Sequence, residues 1–115
     1  MTTLYGIANC DTVKKAQKWL TNNNIAYTFH DFRKQGLSSE QVTLWSDQLG
    51  WEVLLNKRST TFRNLSDEIK QSLNEQSAIA QMTLEPTLIK RPVLVTDKNI
   101  LVGFKEATYH EIFEK

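Results

Sequence analysis

Strand-like sequence stands only near the two ends of this chain, and that limits how a sheet can be built from it. Leu4-Tyr5-Gly6-Ile7 is a short apolar run, and Ile25 to Phe32 alternates, with Ile25, Tyr27, Phe29 and Asp31 on one side. Far along the chain, Pro92-Val93-Leu94-Val95-Thr96 and Ile100-Leu101-Val102-Gly103 are two runs rich in β-branched residues. Asp97-Lys98-Asn99 joins them, which predicts an antiparallel hairpin with a three-residue turn.

The other apolar residues recur at helical spacing. Val13, Ala16 and Leu20 are separated by three and four, with Lys14, Lys15 and Lys18 on the other faces, which predicts an amphipathic helix ending near Asn22-Asn23-Asn24. After Gly36, Ser38-Ser39-Glu40-Gln41 offers an N-cap to a helix through Val42, Leu44, Trp45 and Leu49, stopped at Gly50. Trp51 to Leu55 is short and apolar, and Asn56-Lys57-Arg58-Ser59-Thr60-Thr61 reads as a basic loop. Further helices are expected from Ser66 through Leu73 and from Ser77 to Leu84, before Pro86. A last helix over Lys105 to Lys115 has Ala107, Tyr109, Ile112 and Phe113 as its apolar face. The order β-α-β, helices, β-β-α predicts an α/β sandwich, a sheet of about four strands with flanking helices.

At 115 residues the chain is expected to form one domain with a real core. Fourteen basic against thirteen acidic residues leave a net charge near +1, so nothing electrostatic points to direct nucleic-acid or membrane binding. No stretch has the length and apolarity of a membrane span. One cysteine permits no internal disulfide and suits a reducing compartment, so the expected location is the cytoplasm.

That cysteine, Cys10, lies where the first strand runs into the first helix. Amides at a helix start are unpaired and carry the positive end of the helix dipole, which favours the nucleophilic thiolate over the thiol. The carboxyl end of a strand in an α/β sheet is also where ligands usually bind. A small buried hydrophobe is the other reading of a lone cysteine. Position 13 is valine, so there is no C-x-x-C pair, and any disulfide formed by Cys10 is with another molecule such as glutathione. One cysteine and two distant histidines match no metal-ligand spacing.

Several other residues are candidates for the same site. Lys14 and Lys15 follow the helix start closely enough for one of them to face a thiolate or an anion, and the solvated helix face is the alternative. Asn9 and Thr12 are placed to hydrogen-bond the sulfur, or else to serve as turn and cap residues. Arg91 precedes Pro92, which forces an extended backbone on it; an X-Pro bond is trans by default. Arg58, with Lys57 and Arg63, forms a basic cluster in which a guanidinium suits bidentate carboxylate binding. His30, His110 and the three tryptophans read as structural.

Three segments carry a family resemblance: Tyr5-Gly6-Ile7-Ala8-Asn9-Cys10-Asp11-Thr12-Val13-Lys14-Lys15-Ala16, Leu55-Asn56-Lys57-Arg58-Ser59-Thr60-Thr61-Phe62-Arg63 and Ile89-Lys90-Arg91-Pro92-Val93-Leu94. In this order, and running nearly end to end, they resemble the arsenate reductase (ArsC) and Spx family, and within it the YffB-type branch. The resemblance implies a thioredoxin-like fold with a mixed sheet, a helical insertion over about 36–86, and a cis bond before Pro92. It implies that Cys10 is the redox nucleophile, that Arg91 faces it, and that Arg58 matches a second family arginine. It also implies a monothiol oxidoreductase with glutathione as co-substrate and no tightly bound cofactor. Arg58 and Arg91 would then hold glutathione carboxylates or an anionic substrate.

The departures from the family pattern are specific. Relatives that reduce arsenate carry a third arginine at or near the place of Gly103, and a serine and arginine where Val13 and Lys14 stand. An anion site without that guanidinium and hydroxyl is expected to hold arsenate less well. Spx relatives are transcriptional regulators that bind RNA polymerase and often switch through a C-x-x-C pair. Regulation or protein binding is therefore the alternative function, and arsenate reduction the third.

Overall fold

The computed structural model describes residues 1–115. In chain order the elements are β1 (Thr3–Gly6), α1 (Asp11–Asn22), β2 (Thr28–Asp31), α2 (Phe32–Gln35), α3 (Ser39–Leu49), α4 (Trp51–Leu54), α5 (Thr60–Arg63), α6 (Asp67–Gln71) and α7 (Glu75–Leu84). A 3₁₀ turn at Pro86–Leu88, β3 (Val93–Val95), β4 (Ile100–Val102) and α8 (Glu106–Phe113) complete the chain. Two compact units result, Met1–Gln35 with Arg91–Lys115, and Gly36–Lys90.

The first unit holds a four-stranded mixed sheet in the order β2-β1-β3-β4. β1 pairs parallel with β2, Thr3 opposite Thr28 and Gly6 opposite Asp31. It pairs antiparallel with β3, Thr3 opposite Val95 and Tyr5 opposite Val93. β3 and β4 form the expected hairpin. This mixed sheet with its flanking helices is a thioredoxin-like α/β fold. Its core joins Leu4 and Leu94 of the sheet to Val13, Ala16, Trp19 and Leu20 of α1 and Tyr109 of α8. The spacing that predicted α1 is thus the spacing of its buried face.

Several boundaries differ from the expected ones, each for a local reason. β2 begins at Thr28, opposite Thr3 at the start of β1, and Ile25–Tyr27 precede the pairing. It stops at Asp31, whose Oδ1 accepts from the backbone of Arg33 (2.8 Å) and Lys34 (3.4 Å), so Phe32 opens a helical turn. In the hairpin, Thr96 N–H donates to the carbonyl of Asn99 (2.9 Å), and its hydroxyl accepts from the amides of Lys98 and Asn99. Only Asp97 and Lys98 remain in the loop. On α8 Ala107 is exposed, because two positions before Tyr109 is about 200° round the helix. Tyr109, Ile112 and Phe113 carry that apolar face.

The second unit is helical. Ser38 caps α3 in a box with Gln41, as the sequence predicts, and α3 ends at Gly50. Gly50 has φ +89, which lets the chain turn directly into α4 across residues with no predicted element. Ser59 Oγ accepts from the amide of Phe62 (3.1 Å), and this turns the end of the expected loop into α5. Asn74 Oδ1 accepts from the amide of Ser77 while Ser77 Oγ accepts from the amide of Asn74, both at 2.9 Å, so α7 starts at Glu75 and not at Ser77. Val42, Trp45, Leu54, Ala78, Met82 and Leu88 are buried here.

One core group is energetically costly. Tyr109 packs edge-on against Phe104 (4.7 Å, 90°) and Trp19 (5.5 Å, 86°), yet its hydroxyl is buried without a hydrogen-bond partner. Burial pushes this hydroxyl above the ordinary tyrosine range. The folded chain therefore holds Tyr109 neutral at a pH where the unfolded chain, with its pKa of about 10, ionises. Stability contributed by the neutral form is full below pH ~10 and falls above it by about 1.4 kcal/mol per pH unit. Tyr109→Phe is expected to remove this component of the alkaline slope and, by deleting an unpaired buried hydroxyl, to match or exceed wild-type stability at neutral pH by up to ~1 kcal/mol. Denaturant titrations at pH 7 and pH 11 check both outcomes.

Candidate functional site

The sheet register brings the sequence-predicted residues of the first unit to one end of the sheet. β1 ends at Gly6, opposite the last residue of β2 and one pair beyond Tyr5–Val93. That end is therefore also the start of β3, where Pro92 stands. Gly103 lies there as well, its amide donating to the carbonyl of Pro92 (2.9 Å). Pro92 is buried and its bond to Arg91 is cis, as the family resemblance implied; Arg91 is half-buried.

Cys10 occupies the N-cap of α1, with an extended backbone (φ −89, ψ 126) and a half-buried thiol. Its amide donates to the carbonyl of Ile7 (3.1 Å) and its carbonyl accepts from the amide of Lys14 (3.0 Å), which fixes the turn on both sides. At α3, α5, α6 and α7 an oxygen fills this role, Ser38, Ser59, Ser66 and Asn74 each accepting from the first turn, whereas α4 and α8, like α1, open without a side-chain cap. The Cys10 side chain makes no such bond. Amides of the first turn of α1 thus lack both an intrahelical partner and a capping oxygen.

Gly6, which is not among the sequence-predicted site residues, makes this turn possible. A Cβ on Gly6 would stand 2.7 Å from Cγ2 of Val13, which is fully buried. The available signal was a glycine inside a strand, which marks a close approach of another group. Val13, the position a resolving cysteine would take in a C-x-x-C pair, is a packing residue against the strand that leads to Cys10.

The remaining candidates sit as follows. Asn9, Thr12 and Lys14 are exposed around Cys10. Asp11, also exposed, adds a carboxylate to the first turn and Lys14 an ammonium one position beyond it. Arg58 belongs to the second unit, exposed on an Asn56 turn in which Asn56 Oδ1 accepts from its amide (3.1 Å). His30 stacks on Tyr5 (4.8 Å) and His110 meets the edge of Trp19 (5.0 Å), both packing roles. No three His, Cys, Asp or Glu side chains gather as metal ligands, and no helix is long and apolar enough to cross a membrane.

Residues 5–112, including this whole constellation, match the ArsC family. The chain belongs to the ArsC family. Within it, an uncharacterised protein of Haemophilus influenzae is 50% identical over 113 residues, covering 98% of this chain and 99% of that one. The global transcriptional regulator Spx of Lactiplantibacillus plantarum is 31% identical over 109 residues, 92% of this chain and 81% of the regulator. The solved structure of a YffB protein is 43% identical and superposes with a TM-score of 0.94 over 96% of this chain and 97% of that one. This ArsC-family chain therefore stands close to the YffB type.

The uncapped start of α1 makes a testable statement about stability. A hydroxyl at an N-cap is worth about 0.5–2 kcal/mol over a side chain that cannot accept the bond. Cys10→Ser is therefore expected to leave the protein as stable as wild type or more so, by up to ~1 kcal/mol, while deleting the thiol. Urea unfolding midpoints of the two proteins check it; a loss above ~1 kcal/mol would mean that Cys10 serves the core.

Proposed function

We propose that this ArsC-family protein is a glutathione-dependent thiol–disulfide oxidoreductase that works through Cys10 alone. The observation that carries the reading is the N-cap of α1, the longest helix, where a half-buried thiol stands at the position that Ser38 and Asn74 fill with a capping oxygen in α3 and α7. Developing negative charge on that sulfur meets unpaired amides and the positive end of a 12-residue helix.

In the proposed cycle the Cys10 thiolate attacks the glutathione sulfur of a mixed disulfide R–S–S–G. The S–S bond breaks, R–S⁻ leaves and takes a proton from solvent, and Cys10–S–S–G remains. A second glutathione, as thiolate, attacks that adduct, releases oxidised glutathione and regenerates the Cys10 thiolate. The sum is R–S–S–G plus glutathione giving R–SH plus oxidised glutathione. With valine at position 13 there is no internal thiol to resolve the adduct, so an external one is required.

Arg91 is the proposed second catalytic group, its guanidinium to stabilise the reacting sulfur and to bind a carboxylate. Pro92 fixes its backbone. Arg58 is proposed for the other glutathione carboxylate, and Asn9, Thr12 and Lys14 for contacts to the sulfur and the bound tripeptide. Gly103 has φ +77, a conformation that strains an arginine, and Val13 offers no hydroxyl. Both positions argue against arsenate as the substrate.

Incubation with oxidised glutathione is expected to add one glutathionyl group, at Cys10, as read by intact-mass and peptide mass spectrometry. Cys10→Ser should gain none, and Arg91→Ala should react roughly tenfold more slowly, the loss of one charge-assisted contact. An unmodified wild type contradicts the proposal. The Spx relative supports a second reading, a regulator or binding module that contacts RNA polymerase. Equal retention of purified polymerase by wild type and Cys10→Ser, without adduct formation, would favour it.

A further inference from the structure

Helix α1 presents a second surface that the thiol chemistry does not use. Lys15, Lys18 and Asn22 follow at intervals of three and four along one side, and Trp19, 6% exposed, lies beside them. With Phe104, just after β4, and Glu106, which opens α8, they line a cleft of about 270 Å³. These helix residues lie roughly 8 to 18 Å along the axis from Cys10, at 1.5 Å per residue.

Size and charge narrow the occupant. The cleft is smaller than the ~300–1,000 Å³ of typical small-molecule pockets and suits a single anchoring side chain. Its aromatic lining, Trp19 and Phe104, favours an apolar anchor. Its rim has two ammonium groups against one carboxylate, and neither Lys15 nor Lys18 is engaged in an ion pair. Oppositely charged flanks steer a partner to such a rim, while the anchor supplies most of the affinity.

We propose that this cleft docks an acidic segment of a partner protein, which inserts one aromatic or large aliphatic side chain against Trp19 and Phe104 while its carboxylates meet Lys15 and Lys18. The surface is independent of the Cys10 reaction, so the Cys10→Ser protein should bind equally well.

The test is an NMR titration of the intact ¹⁵N-labelled protein with three N-acetylated, C-amidated pentapeptides: Glu-Asp-Phe-Asp-Glu, Lys-Lys-Phe-Lys-Lys and Glu-Asp-Gly-Asp-Glu. The first should shift the amides of Lys15, Lys18 and Glu106 and the indole N–H of Trp19, and the other two should bind at least tenfold more weakly. A Lys15→Glu, Lys18→Glu double variant, with its remaining spectrum unchanged, should lose at least tenfold in affinity for the first peptide. Absent shifts at millimolar peptide, equal binding of all three, or shifts centred elsewhere would overturn the proposal. So would 3-phenylpropionate binding as tightly as the peptide, which would make a small carboxylic acid the occupant.

Discussion

The pairing of β1 with two strands from opposite ends of the chain is the constraint on which the rest depends. β2 follows one helix later, but β3 arrives only after the helical unit, and setting Tyr5 opposite Val93 closes the sheet. Two consequences come from that one register. Leu4 and Leu94 become neighbours in a core that α1 and α8 cover, and the turn bearing Cys10 comes to the same sheet end as Pro92 and Gly103. Long-range pairing of this kind carries a loop-closure cost, repaid only when the apolar faces meet.

At that end the chain forgoes the local stability that a capping oxygen would give α1. Helices α3 and α7 have complete capping boxes, whereas α1, the longest helix, begins on a thiol that makes no cap bond. Strain and unsatisfied groups are expected where function needs them and compensation elsewhere is strong. Here the compensation is the buried face of α1: Val13 seats directly on Gly6, and Ala16, Trp19 and Leu20 continue the contact into the core. A larger residue at position 6 would push the helix, and Cys10 with it, away from the strand.

Much of this was legible in the sequence, because the signals were local. The Val13, Ala16, Leu20 spacing gave the buried face of α1, Ser38 with Gln41 marked the start of α3, and two β-branched runs marked the hairpin. Errors fell where a side chain competes with the pattern. Asn74 and Ser77 cap each other and extend α7 backwards, Ser59 converts loop into helix, and the Thr96 hydroxyl shortens the hairpin loop. Strand order and the sheet end shared by Cys10 and Pro92 depend on contacts between distant segments, which periodicity does not encode. The cis bond before Pro92 was not readable from the Arg-Pro dipeptide and followed only from the family resemblance.

Glutathione-driven turnover separates a working Cys10 thiol from an inert one. In a solution of reduced glutathione, glutathione reductase and NADPH, the protein is mixed with bis(2-hydroxyethyl) disulfide and NADPH oxidation is followed. The rate should be proportional to wild-type protein and fall to background in Cys10→Ser. A wild-type rate at background, or a rate that survives the loss of the Cys10 thiol, would contradict catalysis through Cys10.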